Sequence, residues 1–370
     1  MKIAIIDADL IGRSKHRFPN LACMKISGYH LFLSDTVTLK TDYNGLGDYE
    51  RVYVSRVFTD TPVPGEVLAK ANVIYGGTGF HYDKAPCLPS EIEHCMPDYH
   101  LYDGWVAERL AAGYKKSEFQ YYTDYSIGFL TRGCFRQCKF CVNQNSNRVE
   151  KHSALEEFVD PERPKICLLD DNFLDHPEWK EMLLALQATK KPFIFKQGLD
   201  ARLLTDEKCR LLFGSRYAGD FGFAFDNVAD YDLIREKLKL IRKHTDKVCK
   251  FFCFCGFDRN GKWDQDFWVQ DIFDLFSRIE LLMDYGCLPY IMRFNRYVES
   301  PWARLYTSIA RWCNQPQFFK KKSLREFALA NGENSACFKA ITEFEKAYHV
   351  VGPFLDMKFG AGITTWVNGR

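Results

Sequence analysis

The sequence predicts an α/β protein: a Rossmann-like open α/β domain, then a partial (β/α)6 barrel of the TIM type, then a helical C-terminal segment. Two observations carry this. Short apolar runs alternate with longer amphipathic stretches along most of the chain, which is the layout of parallel β/α units. Polar residues also gather where those runs end, the positions at which β/α barrels collect functional groups.

The elements follow in order. Residues 3–8 read as a strand, 20–33 as a helix, 36–40 and 51–58 as strands, 63–71 as a helix and 72–76 as a further strand, giving an open α/β domain over 1–118. Six apolar runs at 126–130, 165–170, 192–197, 221–226, 247–255 and 288–293 then supply the strands of a core over 119–300. Helical patterns near 178–189, 205–213, 229–243 and 266–285 separate them. From 301 to 370 the chain reads as helical. Ser323-Leu-Arg-Glu326 has capping-box spacing, and Phe338, Ile341, Phe344 and Tyr348 recur at helical intervals, as a face that packs on a core would.

A chain of 370 residues, 46% of them hydrophobic, can bury substantial cores and fits about two domains. Its opening Met1-Lys-Ile-Ala-Ile-Ile6 reaches Asp7 too soon for a secretory leader, so the 14 cysteines are expected in the reducing cytoplasm rather than in disulfides. No apolar run approaches the roughly 18 residues that span a bilayer, so no membrane partner is expected. Fifty basic against 48 acidic residues give no global attraction to nucleic acid or membrane. Lys320-Lys321-Lys322, beside Phe318, Phe319 and Arg325, could contact phosphate and reads better as a solvated basic patch; it leaves an RNA substrate open without supporting it. Gly76-Gly77-Thr78-Gly79 reads as a strand-ending turn rather than a phosphate cradle.

The most informative stretch is Cys134-Phe-Arg-Gln-Cys138-Lys-Phe140-Cys141. Three thiolates at C-x3-C-x2-C spacing leave one coordination position unfilled. Soft sulfur donors select iron–sulfur clusters, zinc or copper(I), and a four-iron cluster normally takes four protein ligands. Structural zinc also wants four, commonly in two pairs, and here no second pair follows; His152 stands alone nearby. A zinc site and unrelated buried thiols remain the alternatives. Cys249, Cys253 and Cys255 share one parity of a strand and read as small buried hydrophobes rather than as a second cluster.

The loop resembles the cluster-binding loop of the radical S-adenosylmethionine (SAM) superfamily, whose C-x3-C-x-aromatic-C signature is matched by Cys134, Cys138, Phe140 and Cys141. The resemblance implies a [4Fe-4S] cluster on the three cysteines, SAM chelating the fourth iron, Phe140 near the adenine and a (β/α)6 core. At the end of the second core strand, Asp170-Asp171-Asn172 stands where the family often carries Gly-Gly-Glu to bind the SAM amino group. Asp226 becomes the candidate for the ribose hydroxyls and Gly256 for close approach to the adenine. Gln197, ending the third core strand, joins the candidate cofactor contacts.

The implied activity is reductive cleavage of SAM to a 5′-deoxyadenosyl radical that abstracts hydrogen from an unknown substrate. The implied partner is an electron donor such as flavodoxin or ferredoxin. RNA or peptide modification is the alternative substrate class, and a zinc- or cluster-stabilised binding protein without catalysis is the competing function. The N-terminal domain resembles the cobalamin-binding-type domains that precede many such cores, where Asp-x-His-x-x-Gly after the first strand ligates cobalt. Here Asp7-Ala-Asp9-Leu-Ile-Gly12-Arg-Ser-Lys-His16 lacks that motif, and the nearest match, Asp98-Tyr-His100-Leu-Tyr-Asp103, is one residue wrong and far downstream. The expectation is a cobalamin-domain-like fold without cobalamin.

Overall fold

The computed structural model describes residues 1–360 apart from Lys15, Gln144 and Asn145. The chain divides into two compact units, Met1–Ile194 and Phe195–Arg370.

The first unit opens with four parallel strands, β1 (Lys2–Asp7), β2 (Thr36–Leu39), β3 (Arg51–Ser55) and β4 (Val73–Gly76), in the order β2-β1-β3-β4. β1 is apolar at both parities because both its faces are covered. Ile3 and Ile5 pack with Cys23, Ile26 and Ile92, while Ala4 and Ile6 pack with Leu46, Val52, Val54 and Val67. The helix Leu21–Phe32 starts where the Asn20 side chain accepts the Cys23 N–H at 3.3 Å. β3 is shorter than its apolar run predicts. The chain leaves the sheet after Ser55 because the N–H groups of Val57 and Phe58 turn to the Asp9 carboxylate, at 2.6 and 3.4 Å. The helix expected over 63–71 shrinks to one turn, Gly65–Leu68, since the Asn72 amide binds the Leu46 and Tyr49 carbonyls, both at 2.9 Å, and pins the chain where β4 begins.

The same unit continues with β5 (Tyr125–Gly128), the two-residue strands β6 (Thr131–Arg132) and β7 (Glu150–Lys151), and β8 (Lys165–Leu168). β5 and β8 run parallel with Tyr125 opposite Lys165, and β6 and β7 pair antiparallel as a hairpin. The border between the units falls inside β9 (Phe193–Phe195), which neighbours β8.

The second unit holds β10 (Phe221–Ala224), β11 (Cys249–Cys255) and β12 (Leu288–Arg293), parallel and adjacent in chain order. Leu199 adds a parallel bridge to Phe223 at the outer edge of β10. Strict alternation along β11 buries Cys249, Phe251, Cys253 and Cys255, so these cysteines are core residues as their parity suggests. The helices Asp206–Phe213, Tyr231–His244 and Gln265–Asp284 lie close to their predicted spans. Arg278, buried on the last of these, donates to the Phe225 and Phe254 carbonyls at 2.9 and 3.0 Å and ties together the ends of β10 and β11.

Past β12 the described chain is helical through Gly352–Asp356. Ser323 and Glu326 make the reciprocal bonds of a capping box, at 3.1 and 3.0 Å. Arg325 is committed to Glu345 and Asp356, each at 2.7 Å, which withdraws it from the basic patch suggested by its sequence neighbours. Among the described residues no helix is long and apolar enough to cross a membrane. This is the α/β, parallel-stranded architecture that the sequence predicts.

Candidate functional site at the cysteine loop

The hairpin of β6 and β7 carries the cysteine loop. Gly133 opens it with φ of 95°, and a Cβ there would lie 2.2 Å from the Arg148 carbonyl oxygen, so only glycine fits. Gln137, between Cys134 and Cys138, has φ of 48°, a left-handed turn that non-glycine residues seldom adopt. Together these turns put Cys134, Cys138 and Cys141 on one short loop, each half-buried and none in a disulfide. Backbone N–H groups of Arg136 and Asn143 point at the sulfurs of Cys134 and Cys141, at 3.5 and 3.4 Å, and the Asn172 amide reaches Cys134 at 3.5 Å. Phe140 is half-buried on the same loop, its carbonyl 3.5 Å from the Tyr82 hydroxyl. Among the described residues no group of three or more Cys, His, Asp or Glu side chains is gathered tightly enough to hold a single metal ion.

The end of β8 supplies the loop's anchors. The Asp170 carboxylate, 1% exposed, accepts the Thr131 N–H at 2.6 Å, the Thr131 hydroxyl at 2.7 Å and the Leu130 N–H at 3.2 Å. Burial pushes this carboxyl up to about 7, against three donors that favour its charged form. Asp171 accepts the Gly133 N–H at 2.9 Å, and burial raises it as well. Both aspartates therefore hold the loop itself. Asn172 differs. It is 2% exposed, its Nδ2 turns to Cys134, and its Oδ1 is buried without a hydrogen-bond partner among the described residues. An orphaned buried acceptor costs free energy unless a ligand donor meets it.

His152, the nearby residue that could have completed a zinc set, has both ring nitrogens engaged. Nε2 is 3.3 Å from Glu93 and Nδ1 is 3.0 Å from the Ser153 hydroxyl.

The remaining sequence candidates lie in the second unit. Gln197 is exposed. Next to it, Asp200 and Asp230 clamp Arg202 at 2.7 and 2.8 Å, which explains the other polar residues of that strand end as a local brace. Asp226 accepts the Phe254 N–H at 2.9 Å and is raised by burial. Gly256 has φ of 76° and donates its N–H to Asp271 at 2.8 Å.

A second concavity, which the sequence did not single out, opens at the C-terminal ends of β1 and β3. These strands flank the point where the order β2-β1-β3-β4 reverses direction, the usual ligand crevice of an open α/β sheet. It has a volume of about 490 Å3 and is lined by Gly12, Arg13, Ser14, His16, Arg17, Phe58 and Asp60. Arg13 lies over the Phe58 ring at 4.2 Å and pairs with Asp60 at 2.6 Å. Loop residues spread over 12–60 converge here only through the sheet, and the signal available in the sequence was the density of cations directly after the first strand.

No family model matches the chain, and no curated protein matches it. Solved structures do. The radical S-adenosylmethionine methyltransferase TsrM from Kitasatospora setae, with cobalamin and a [4Fe-4S] cluster bound, aligns with a TM-score of 0.51 at 11% identity, over 79% of this chain and 75% of that one. The same enzyme with its tryptophan substrate and a SAM analogue aligns with a TM-score of 0.51 at 11% identity, over 78% and 72%. The expectation that cobalamin plays no part is overturned by the first of these, because the fold this chain shares is one that houses cobalamin. Absence of the histidine motif bears only on one mode of cobalt ligation, not on whether a sheet edge can seat a corrin ring. In Asp7-Ala-Asp9-Leu-Ile-Gly12 an aspartate occupies the histidine's place, and Asp9 is spent on Val57, Phe58 and Thr61. At this level of identity the likeness is one of architecture: the chain has the α/β fold, with parallel sheets and helical segments, that is seen in this radical SAM methyltransferase.

Proposed function

We propose that the protein is a radical SAM enzyme, with 1–118 as its α/β layer, 119–300 as its core and 301–370 as its helical segment. The observation that carries this is the cysteine loop: three half-buried sulfurs on one loop, held by the buried Asp170 and the half-buried Asp171, beside an asparagine with an open acceptor. Cys134, Cys138 and Cys141 would hold a [4Fe-4S] cluster, with backbone N–H groups directed at the sulfurs of Cys134 and Cys141. When bound, the cluster and SAM supply one-electron cleavage of a carbon–sulfur bond and a 5′-deoxyadenosyl radical. An external donor of the flavodoxin or ferredoxin type would supply the electron. Asp170 and Asp171 keep the loop in register, and Asn172 Oδ1 would accept from the SAM ammonium. This reassigns the amino-group contact within the triplet, because the aspartates' oxygens already serve the loop. The engaged nitrogens of His152 weigh against structural zinc.

The pocket at the ends of β1 and β3 would take part of a corrinoid. Its two arginines, a histidine, a serine and an aromatic fit a ligand fringed with amides and phosphate.

Anaerobic purification and reconstitution test the reading. Iron and sulfide near four per chain and 5′-deoxyadenosine formed from SAM under reductant are the expected results. Stoichiometric zinc alone, with neither SAM binding nor cleavage, overturns it. Gel filtration after incubation with hydroxocobalamin tests the pocket: corrin co-eluting with the wild type and reduced in Arg13→Ala is the expected result.

A further inference from the structure

Glu93, which ends the short helix Ser90–Glu93, sits at the centre of a charge cluster drawn from four separate stretches of the first unit. Its carboxylate is 2.7 Å from the ammonium of Lys25, 3.3 Å from His152 Nε2 and 3.8 Å from the Arg132 guanidinium. Lys25 and Glu93 side chains are 4% and 14% exposed, so this is a sheltered pair rather than a surface one. Lys25 is buried beside Cys23, Met24 and Ile26 on its helix, a costly place for an ammonium unless an anion meets it. Burial alone would raise the Glu93 carboxyl, but bonds from His152 and Lys25 outweigh it and hold the group down at about 2.

Two of the partners belong to the hairpin that carries the cysteine loop. Arg132 is in β6, and His152 directly follows β7, its own N–H closing on the Leu130 carbonyl at 2.8 Å. A neighbouring tie repeats the pattern, since His94 stacks on His152 at 5.3 Å and pairs with Glu157 at 2.7 Å. Nothing in the sheet packing calls for this convergence. Without the carboxylate, the buried ammonium would lose its counter-anion with a guanidinium close to the same point, turning the attraction into repulsion.

We propose that Glu93 is a positioning residue for the cysteine loop, the carboxylate through which the N-terminal α/β layer holds the hairpin bearing Cys134, Cys138 and Cys141. The inference deepens the cofactor reading of that loop and rests on it for its functional meaning. Its consequence is a mechanical link: a shift of the helices that carry Lys25 and Glu93 is passed to the three sulfurs.

The test uses the full chain with Glu93→Gln, which keeps the shape and removes the charge, and with His152→Gln, which replaces the nearer of the two hairpin contacts while leaving the Lys25–Glu93 pair and the longer Arg132 contact. In metal-free protein, alkylation of Cys134, Cys138 and Cys141 followed by mass spectrometry should run several-fold faster in both variants, with Cys253 and Cys313 still protected. After reconstitution, the reduced variants should keep their iron but show a changed electron paramagnetic resonance line shape. If Glu93→Gln does not fold, as judged by exposure of Cys253, His152→Gln decides alone. Unchanged alkylation rates and unchanged spectra overturn the inference. Should the wild type bind no cluster, the cofactor reading fails, while the metal-free alkylation rates still decide whether Glu93 holds the loop.

Discussion

Asp170 and Thr131 are joined twice over: one carboxylate oxygen takes both the backbone N–H and the hydroxyl of the threonine, at 2.6 and 2.7 Å. The end of a core strand thereby grips the arm of the hairpin that leads into Cys134. A residue placed by its sequence position as a candidate SAM contact has both its carboxylate oxygens engaged by the chain leading into the loop. Asp170→Ala leaves three donors without their acceptor, at roughly 1–3 kcal/mol for each unmet group. The expected outcome is a lower melting temperature and loss of reconstituted iron although no thiolate has been touched, read by calorimetry and iron assay. Full iron loading with unchanged melting would show that the clamp is unimportant.

Asn172→Ala should do the opposite. The asparagine's Oδ1 makes no bond to the loop and its amide gives only one long contact, to Cys134 at 3.5 Å, so most of the iron should persist while SAM binding weakens by about tenfold, the ~1.4 kcal/mol expected of one lost hydrogen bond. Asp171→Ala is the contrast, because it frees the Gly133 N–H and should lower iron and SAM together. Equilibrium binding to reconstituted protein separates the two, and equal SAM affinity in Asn172→Ala and wild type rules out the proposed contact.

Gly133→Ala forces a Cβ against the Arg148 carbonyl at a left-handed φ and should destabilise by on the order of 1–3 kcal/mol, with loss of cluster loading. Gly104→Ala is the control. That glycine sits in the helix Asp103–Ala111 with nothing within 4 Å of an added Cβ, so the change should be neutral or stabilise by about 0.5–1 kcal/mol. Chemical denaturation of the two variants gives the comparison.

Among the cysteines, alanine at 134, 138 or 141 should abolish a full cluster, whereas Cys253→Ala and Cys255→Ala should retain it and lose only core packing, since both side chains are buried in β11. Retained iron in all three loop variants, with iron lost from Cys253→Ala, would transfer the site to the strand.

Asp7 carries a pH dependence. Buried at the end of β1, it caps the helix Ala8–Gly12 and takes the Tyr102 hydroxyl at 2.9 Å; burial pushes it up to about 7 from an ordinary value of 3.8. The folded state thus keeps a proton that the unfolded chain releases. This contribution to stability is fully present below about pH 4 and is lost as pH rises to about 7, a change on the order of a few kcal/mol. Asn caps a helix as well as Asp and cannot ionise. Asp7→Asn should therefore melt higher than wild type at pH 8, with the gap closing toward pH 5. A constant gap across that range would assign the effect to another group.

The alternation of apolar runs and amphipathic stretches was enough to place every core strand, because strand and helix periods are local properties of the chain. The cysteine spacing was local too, and the three half-buried cysteines do lie on one short loop. What the sequence could not decide was which polar strand ends face a ligand. Asp170, Asp171 and Asn172 are adjacent, yet two of them turn to the hairpin and one presents a free oxygen, a difference set by where the loop's N–H groups fall in space. Glu93 and its cluster were invisible for the same reason: Lys25, Glu93, Arg132 and His152 meet across more than a hundred residues of chain. The missing histidine motif misled because it reports one mode of cobalt ligation, whereas the fold as a whole is one that houses cobalamin in TsrM. Periodicity and spacing determine which elements form, but burial and the pairing of buried charges decide which side chains are left for chemistry, and that is settled only when distant segments pack.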